Sequence, residues 1–137
     1  MYERHYSAYR YRDGRTRKLF VGPGSSVVLR TDTGDAFFVW RQFRDACIDE
    51  RTGKPQAGIN CAAFRNEGTI SSKDLIQQAD AIADAVWPDC RHYTYVSEKD
   101  VRSKLPGACF LFAHWRYVRI NGKRARTKER GLLILER

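Results

Sequence analysis

Two serines and a glycine stand where a strand-like run gives way to the clearest helical pattern in the chain. Residues 59–67 are strand-like, Gly68 follows, and Ser71 or Ser72 is suited to cap a helix with Asp74 in its first turn. A helix N-terminus exposes unpaired amide groups and a partial positive charge, which suit a phosphate or pyrophosphate. The same pattern is typical of an ordinary capped helix, so the junction predicts one of these two roles.

Tyr93 and Tyr95 are the second group that could take part in chemistry. They alternate within the strand-like residues 91–96 and therefore share one strand face. Such a tyrosine can donate a proton to a leaving group or hold a substrate, but a half-buried aromatic pair has the same pattern. His92 and His114 are isolated, and we expect them to be structural or solvent-facing. No Ser-His-Asp set, H-E-x-x-H motif or paired-carboxylate pattern is present, which disfavours a hydrolase or a metalloenzyme.

The third group is a cationic segment near the end of the chain. Residues 116–130 contain seven basic residues and one acidic residue, between an apolar run at 106–115 and an apolar strand at 131–136. Residues 1–18 hold a further six basic and two acidic residues, whereas residues 19–115 are nearly balanced, although the formal net charge is +9. Charge fixed between two pieces of core predicts a phosphate-rich partner.

Composition limits the remaining classes of protein. The first 18 residues form an aromatic and basic arm, which is expected either to stack on bases or to fray as a terminus. None of the four cysteines belongs to a C-x-x-C pair, so we do not expect a metal site. We expect the cysteines to be buried as small apolar side chains, and disulfide formation is the alternative. Without an apolar run of about 18 residues or a secretory signal, we expect no membrane span and a cytoplasmic protein.

The elements that must position these groups follow from hydrophobic periodicity. Strands are predicted in residues 18–22, 26–32, 36–43, 59–67 and 91–96, with a turn at residues 33–35 and a central position for the third strand. Residues 97–104 predict a helical turn, residues 106–115 a helix or a strand, and residues 115–136 a closing hairpin. The main helix carries one apolar stripe: Leu75, Ile76, Ala79, Ile82, Ala83 and Val86. Together, these elements predict an α+β domain over residues 19–137, with a mostly antiparallel sheet around one main helix.

This order of elements resembles the GNAT superfamily of N-acetyltransferases. The resemblance implies that a splayed strand and the following helix N-terminus hold the pyrophosphate of acyl-coenzyme A, while the next strand and a short helix close the cleft. The strings FVW, FRNE, YTYV, PG-x-C-F-x-x-A-x-W and TK-x-x-GLLIL look like those of small phage and prophage proteins related to the Mom family, which modifies adenine in DNA. The similarity covers about residues 19–136.

Two departures from the family pattern stand out. RNEGTISS replaces the usual Q/R-x-x-G-x-G/A phosphate loop, which puts the use of coenzyme A in question. The segment after Gly22 is too short for the paired helices that normally follow the first strand. The trimmed fold would expose one side of the cleft and admit a bulky substrate such as DNA.

The resemblance implies a phage-encoded, GNAT-like transferase that modifies a DNA base in the bacterial cytoplasm. The donor would be acyl-coenzyme A or a related acyl or carbamoyl donor. Tyr95, Tyr93 and Ser72 would lie at the transfer point. Phosphates or the transferred group would contact Asn66, Glu67, Gly68, Thr69, Ser71 and Ser72. DNA would contact Arg116, Arg119, Lys123, Arg124, Arg126 and Lys128, with Trp40 or Trp115 stacking on a flipped base.

Two other functions fit the same residues. A small basic module that binds DNA or RNA without chemistry would keep the cationic segment and lose the need for a donor. A phage effector would use the same surface to bind a host protein. Coenzyme A binding separates the first alternative from the transferase, and pull-down from nuclease-treated host lysate would reveal the second.

Overall fold

The computed structural model describes residues 26–42, 46–100 and 105–137. The predicted arm at residues 1–18 and the predicted strand at residues 18–22 lie outside this part of the chain. Two helices and ten strands occupy the described residues, together with a short 3-10 helix at Glu98–Asp100. The helices are α1 (Ser72–Val86) and α2 (Ala108–Phe112). The strands are β1 (Ser26–Arg30), β2 (Ala36–Arg41), β3 (Ile48–Asp49), β4 (Lys54–Pro55), β5 (Ile59–Asn66), β6 (His92–Val96), β7 (Arg116–Tyr117), β8 (Arg119–Ile120), β9 (Lys123–Arg124) and β10 (Leu133–Glu136).

Six strands form the main sheet in the order β1-β2-β5-β6-β10-β7. Every neighbouring pair is antiparallel except β5 and β6, which are parallel and are connected through α1. The predicted turn joins β1 to β2, and β2 lies between two partners with residues 36–40 buried, so its central position is confirmed. The protein is therefore a mixed α/β domain with a mostly antiparallel sheet and one main helix.

The parallel strands β5 and β6 pair only at their beginnings. Three register pairs join them, the last between Cys61 and Thr94, although both strands, described throughout, continue further. The Thr94 hydroxyl donates to the Cys61 carbonyl at 3.0 Å and closes this paired part. Beyond it, the register of β5 against β2 shifts at Ala62, an irregularity that bends a strand. The two strands thus part toward their carboxyl ends, where β5 leads into α1.

The larger core lies between α1, α2 and one face of the sheet. Ile76, Ala79 and Ala83 of α1 are buried against Phe38 and Trp40 of β2, which alternate on that face. The buried helix face is narrower than the predicted stripe, because Ile82 and Val86 are exposed and Leu75 is half-buried. Instead, Leu75 and Ile82 line an open groove of about 740 Å³ beside the β1–β2 hairpin.

The closing hairpin is present and more elaborate than predicted. β7 pairs with β10, and the cationic segment between them folds into a second hairpin, β8–β9, whose turn is Asn121 and Gly122. Both turn residues have positive φ, 52° and 78°, as in the tight turns that match strand twist. The run at residues 106–115 contains α2, so of the two predicted alternatives the helix is confirmed.

The cysteines are free thiols with different exposures. Cys61 is buried, and Cys90 and Cys109 are half-buried, in agreement with their apolar surroundings. Cys47 is exposed, so the expectation of buried cysteines is wrong for this residue. Its place after the central strand puts it in the loop that leads to the small β3–β4 hairpin rather than in the core.

A buried carboxylate ties the last strand to distant parts of the chain. Glu136 is 5% exposed and receives hydrogen bonds from Arg51 at 2.8 Å and from Arg91 at 2.6 Å. Burial alone would raise the pKa of Glu136, but the hydrogen bonds and charges of the two arginines outweigh it and lower this pKa from 4.5 to about 2. The pairs therefore fix the 46–58 segment and β6 to the end of β10.

Acid titration should expose this contribution. Because the folded-state pKa of Glu136 lies below its ordinary value, the carboxylate stabilises the fold fully above about pH 4.5 and progressively less down to about pH 2. We expect Glu136→Gln to lower the free energy of unfolding by about 3 kcal/mol at neutral pH. The deficit against wild type should shrink below pH 4.5 in urea unfolding. Glu50→Gln, at a more exposed pair with Lys128, is the control; an equal deficit there would contradict the assignment.

Candidate functional site

The loop between β5 and α1 is ordered by its own side chains. The Asn66 amide donates to the Ile70 carbonyl at 2.7 Å and to the Ser72 hydroxyl at 3.1 Å, while its oxygen accepts from the Gly68 amide at 3.0 Å. Ser71 is the N-cap, because its hydroxyl accepts from the Asp74 amide at 3.1 Å. Of the two serines predicted as possible helix caps, Ser71 is therefore the one that caps α1.

Gly68 lies where the loop meets the β1–β2 hairpin. A Cβ atom at Gly68 would lie 2.4 Å from the Asp35 carboxylate, and the Glu67 amide donates to the Asp35 carbonyl at 2.7 Å. Hydrogen bonds from Thr33 and Thr31 lower the pKa of Asp35, which keeps it ionised. The loop therefore has a fixed conformation and an acidic neighbour.

These contacts show which of the residues predicted to bind a phosphate-bearing donor still have free polar groups and which do not. Asn66 and Ser71 use their side chains within the loop, and Glu67 carries negative charge. Thr69 is exposed, and the Ser72 hydroxyl, which accepts from Asn66, keeps its own proton to donate. A bound phosphate would thus depend on backbone amides and these two hydroxyls, in the presence of the Asp35 and Asp74 carboxylates.

The three residues predicted at the transfer point do not lie together. Tyr93 and Tyr95 are neighbours with ring centroids 5.7 Å apart, as their shared strand face predicts. Their face is opposite to α1, because His92, which immediately precedes Tyr93 in the strand, points toward the helix and contacts Asp80. Ser72 begins α1 on that helix side. The tyrosines and the serine therefore lie on opposite sides of the sheet. The place where β5 and β6 are no longer paired, beyond Cys61 and Thr94, is called the opening below.

Both phenols are buried and protonated at neutral pH. Burial raises the pKa of Tyr93 to about 12 and raises the pKa of Tyr95 further. Within the described residues, neither hydroxyl makes a well-aligned hydrogen bond, although the two tyrosine side chains lie close to each other and Tyr95 lies close to the Cys47 thiol. Tyr95 lies beyond the last register pair of β5 and β6, so it stands beside the opening, whereas Tyr93 is paired with Asn60. Of the two, Tyr95 has the better position for proton donation into the opening.

Trp40 and Trp115 are core residues, which corrects their predicted role in stacking on a base. They are 0% and 3% exposed and stack on each other at 6.2 Å. The Trp40 indole N–H donates to the Ala79 carbonyl at 2.9 Å, and that of Trp115 donates to Asp80 at 2.9 Å. Since both rings are covered and both N–H groups are bonded, neither ring faces a ligand.

His92 is structural and belongs to a buried polar network. Its Nδ1 atom lies 2.7 Å from Asp80 and carries the proton, because a carboxylate only accepts. Its Nε2 atom lies 3.1 Å from Asp84, without hydrogen-bond alignment. Asp80 also accepts from Trp115 and lies 3.8 Å from Arg137. The network joins α1 to β6 and to the end of the chain.

The six cations predicted to bind DNA fall into two sets. Three have carboxylate partners: Arg116 with Glu136, Arg126 with Glu98 and Lys128 with Glu50. No carboxylate of the described residues lies within ion-pair distance of the other three, Arg119, Lys123 and Arg124. The second set lies on the two strands of the β8–β9 hairpin, which is called the ribbon below.

The ribbon holds its charges in a fixed arrangement. Arg119 and Arg124 are direct cross-strand partners, and the Arg124 guanidinium lies 4.1 Å from the centre of the Tyr117 ring. Val118 and Ala125 at the base of the ribbon pack on Ile134 of the main sheet. Two like charges directly opposite each other destabilise a strand pair, and a bound anion removes that cost.

The fold and these groups define a mixed α/β domain with an opening in its sheet and a cationic ribbon at one edge. No family model matches the sequence, and no curated protein or solved structure matches it either. Across residues 26–42, 46–100 and 105–137, no three His, Cys, Asp or Glu side chains are grouped so that they could hold a metal ion. No helix in these ranges is both long and apolar enough to cross a membrane.

Sequence reasoning missed three groups that the structure places at key points. Asp80 occupies the i+4 position after Ile76, inside the buried helix face, which is an available signal for a buried carboxylate. Asn60 interrupts an apolar strand between Ile59 and Cys61. The Asn121-Gly122 dipeptide is a recognised hairpin signal and would have predicted the ribbon.

Proposed function

We propose that the protein is a transferase of GNAT-like architecture that modifies a nucleobase, most simply adenine, in DNA. The observation that carries the proposal is the pair β5 and β6. They are the one parallel pair in the described main sheet, they separate after three register pairs, and α1 begins beyond the end of β5. This arrangement supports the proposal, because the resemblance implies a splayed strand followed by a helix N-terminus.

The opening gives the proposed reaction a geometry. An acyl-coenzyme A, or a related acyl or carbamoyl donor, would rest its phosphates on the amides that begin α1; the thioester of acyl-coenzyme A would extend into the opening between β5 and β6. The base amine attacks the carbonyl, so that a C–N bond forms and the C–S bond breaks. Tyr95 donates its proton to the departing thiolate and recovers one from the attacking amine. The Tyr95 phenol is protonated at neutral pH, as proton donation requires, and its raised pKa makes it a weaker acid than an exposed tyrosine.

Nucleoside analysis tests the proposal directly. DNA from cells that express the protein is digested and its nucleosides are analysed by mass spectrometry. We expect a modified adenine, absent from cells that express no protein. Unmodified DNA, with the protein folded and present, would contradict the transferase.

Tyr95→Phe separates chemistry from binding. The substitution removes one hydroxyl and leaves the ring, so DNA affinity should stay within about twofold of wild type while modification falls by at least about 100-fold. Fluorescence anisotropy and nucleoside mass spectrometry measure the two quantities. Tyr117→Phe is the matched control, because its hydroxyl donates to the Pro106 carbonyl on the helix side. Full modification by Tyr95→Phe would refute its role as proton donor.

A nucleic-acid-binding module without chemistry is the second candidate, and a specific observation favours it. The Asp35 and Asp74 carboxylates lie near the proposed phosphate position, and Asn66 and Ser71 are used within the loop. Under this alternative, coenzyme A and acetyl-coenzyme A give no thermal shift while DNA still binds with a steep salt dependence. A shift with either cofactor rejects this alternative.

A further inference from the structure

Three buried polar atoms without partners meet on the sheet face opposite α1. They are Asn60 Oδ1 and the hydroxyl oxygens of Tyr93 and Tyr95, for which the described residues provide no well-aligned hydrogen bond. Asn60 is the register partner of Tyr93 across the parallel pair, and Tyr95 follows on the same face. The three groups are therefore contiguous and reach the point where β5 and β6 part.

Such a group is unusual in a folded protein. A buried polar atom without a hydrogen bond costs about 1–3 kcal/mol, and native structures contain few of them. Asn60 is 3% exposed and Tyr93 is 0% exposed, so bulk water does not solvate them in this conformation. Three neighbouring atoms of this kind indicate an occupant that supplies the missing hydrogen bonds.

The unpartnered atoms themselves indicate the chemistry of this occupant. Arg51 and Arg91 are bonded to Asp49 and Glu136 at 2.6–3.1 Å, and Arg41, the register partner of Asn60, places a further positive charge near Tyr93. The phenols are neutral donors, and the Asn60 carboxamide needs a donor at its buried oxygen. A planar group that presents an amine beside a hydrogen-bond acceptor satisfies both requirements, and the edge of an amino-bearing nucleobase is such a group.

We propose that Asn60, Tyr93 and Tyr95 form the binding position for the edge of an amino-bearing nucleobase. Asn60 accepts a hydrogen bond from the exocyclic amine, and the phenols donate to the acceptors beside it. The choice of a nucleobase rests on the proposed function. Arg91 lies over the Tyr93 ring, with its guanidinium carbon 5.0 Å from the ring centroid, so a base that reaches Asn60 displaces the Arg91 side chain.

Thermal unfolding with free nucleosides tests this site without any donor. At millimolar concentration, 2′-deoxyadenosine and 2′-deoxycytidine should raise the Tm of the full chain by about 3–5 °C. Thymidine, which lacks the amine, should not. Asn60→Leu and Tyr93→Phe should have a Tm equal to or above that of wild type, because each removes an unsatisfied buried atom, and both should lose the nucleoside shift. The absence of a shift in wild type, an equal shift with thymidine, or a shift retained by both variants would overturn the site.

The outcomes separate this site from the transferase itself. A nucleoside shift that depends on Asn60 and Tyr93, together with unmodified cellular DNA, supports the site and refutes the transferase. Modified DNA produced with wild-type kcat/KM by both variants supports the transferase and refutes the site.

Discussion

Simultaneous replacement of Arg119, Lys123 and Arg124 by glutamine is expected to weaken duplex DNA binding about 100-fold near physiological salt. Each phosphate contact changes the slope of log K against log salt by about 0.9, so each contributes about fivefold at about 0.15 M salt. Three lost contacts should flatten the slope by about 2.7. Fluorescence anisotropy at several salt concentrations measures both quantities. Because the contacts are to phosphate, the loss should be nearly uniform across DNA sequences.

The ribbon residues are expected to dominate because, within the described chain, their charged groups form no ion pair. Arg119 faces Arg124 directly, and Arg124 lies over the Tyr117 ring while Glu98 acts on it only at longer range than an ion pair. A phosphate relieves this repulsion, whereas it must compete with a carboxylate at Arg126 or Lys128. The major groove also admits a two-stranded ribbon of this kind.

A triple variant with the same charge change provides the control. Arg116, Arg126 and Lys128 are replaced by glutamine, which removes three cations that already have carboxylate partners. We expect less than half of the change in slope seen for the ribbon variant. Equal losses in the two variants would show that net charge, rather than the ribbon, governs binding. Wild-type binding that does not respond to salt would reject the DNA contact itself.

The sequence predicted the cationic segment but not its division into paired and unpaired cations. The partners of Arg126 and Lys128 are Glu98 and Glu50, which are 28 and 78 positions earlier in the chain, and only the closed sheet brings them near. Alternation along β6 predicted the shared face of Tyr93 and Tyr95 correctly, because a strand period of two is a local property. The separation of Ser72 from Tyr95 depends instead on which side of the sheet α1 covers, and local pattern does not determine this.

The same distinction between local pattern and long-range contact explains why the role of the two tryptophans was predicted wrongly. Trp40 and Trp115 are 75 positions apart, and a large aromatic residue beside basic residues fits a base-stacking role as well as a core role. Their indole N–H groups find acceptors on α1, one of which is the Asp80 carboxylate. A buried carboxylate that accepts from one histidine and one tryptophan joins residues that are far apart in the chain, and local pattern does not predict such a contact. Only the position of Asp80 within the apolar helix face was a local signal for it.

Asp80→Ala is expected to lower the free energy of unfolding by about 3–5 kcal/mol, the largest loss of stability among the substitutions considered. The Asp80 side chain is 3% exposed and accepts from His92 at 2.7 Å and from Trp115 at 2.9 Å. Its removal leaves two buried donors without an acceptor, and each such donor costs about 1–3 kcal/mol. Urea unfolding followed by tryptophan fluorescence measures the change. DNA affinity, measured where the variant is folded, should remain near wild type, since the network lies away from the ribbon.

Asp84→Ala is the matched control for this prediction. Asp84 lies one turn later on α1, approaches the other nitrogen of His92 at 3.1 Å, and has a side chain that is 47% exposed. Both substitutions change helix propensity equally, because each replaces aspartate by alanine within the helix interior. Water can replace the exposed carboxylate, so its loss should cost less than about 1 kcal/mol. If the two variants are equally stable, the link between α1 and β6 depends on apolar packing around Trp40 and Ile76, and the buried hydrogen bonds contribute little to it.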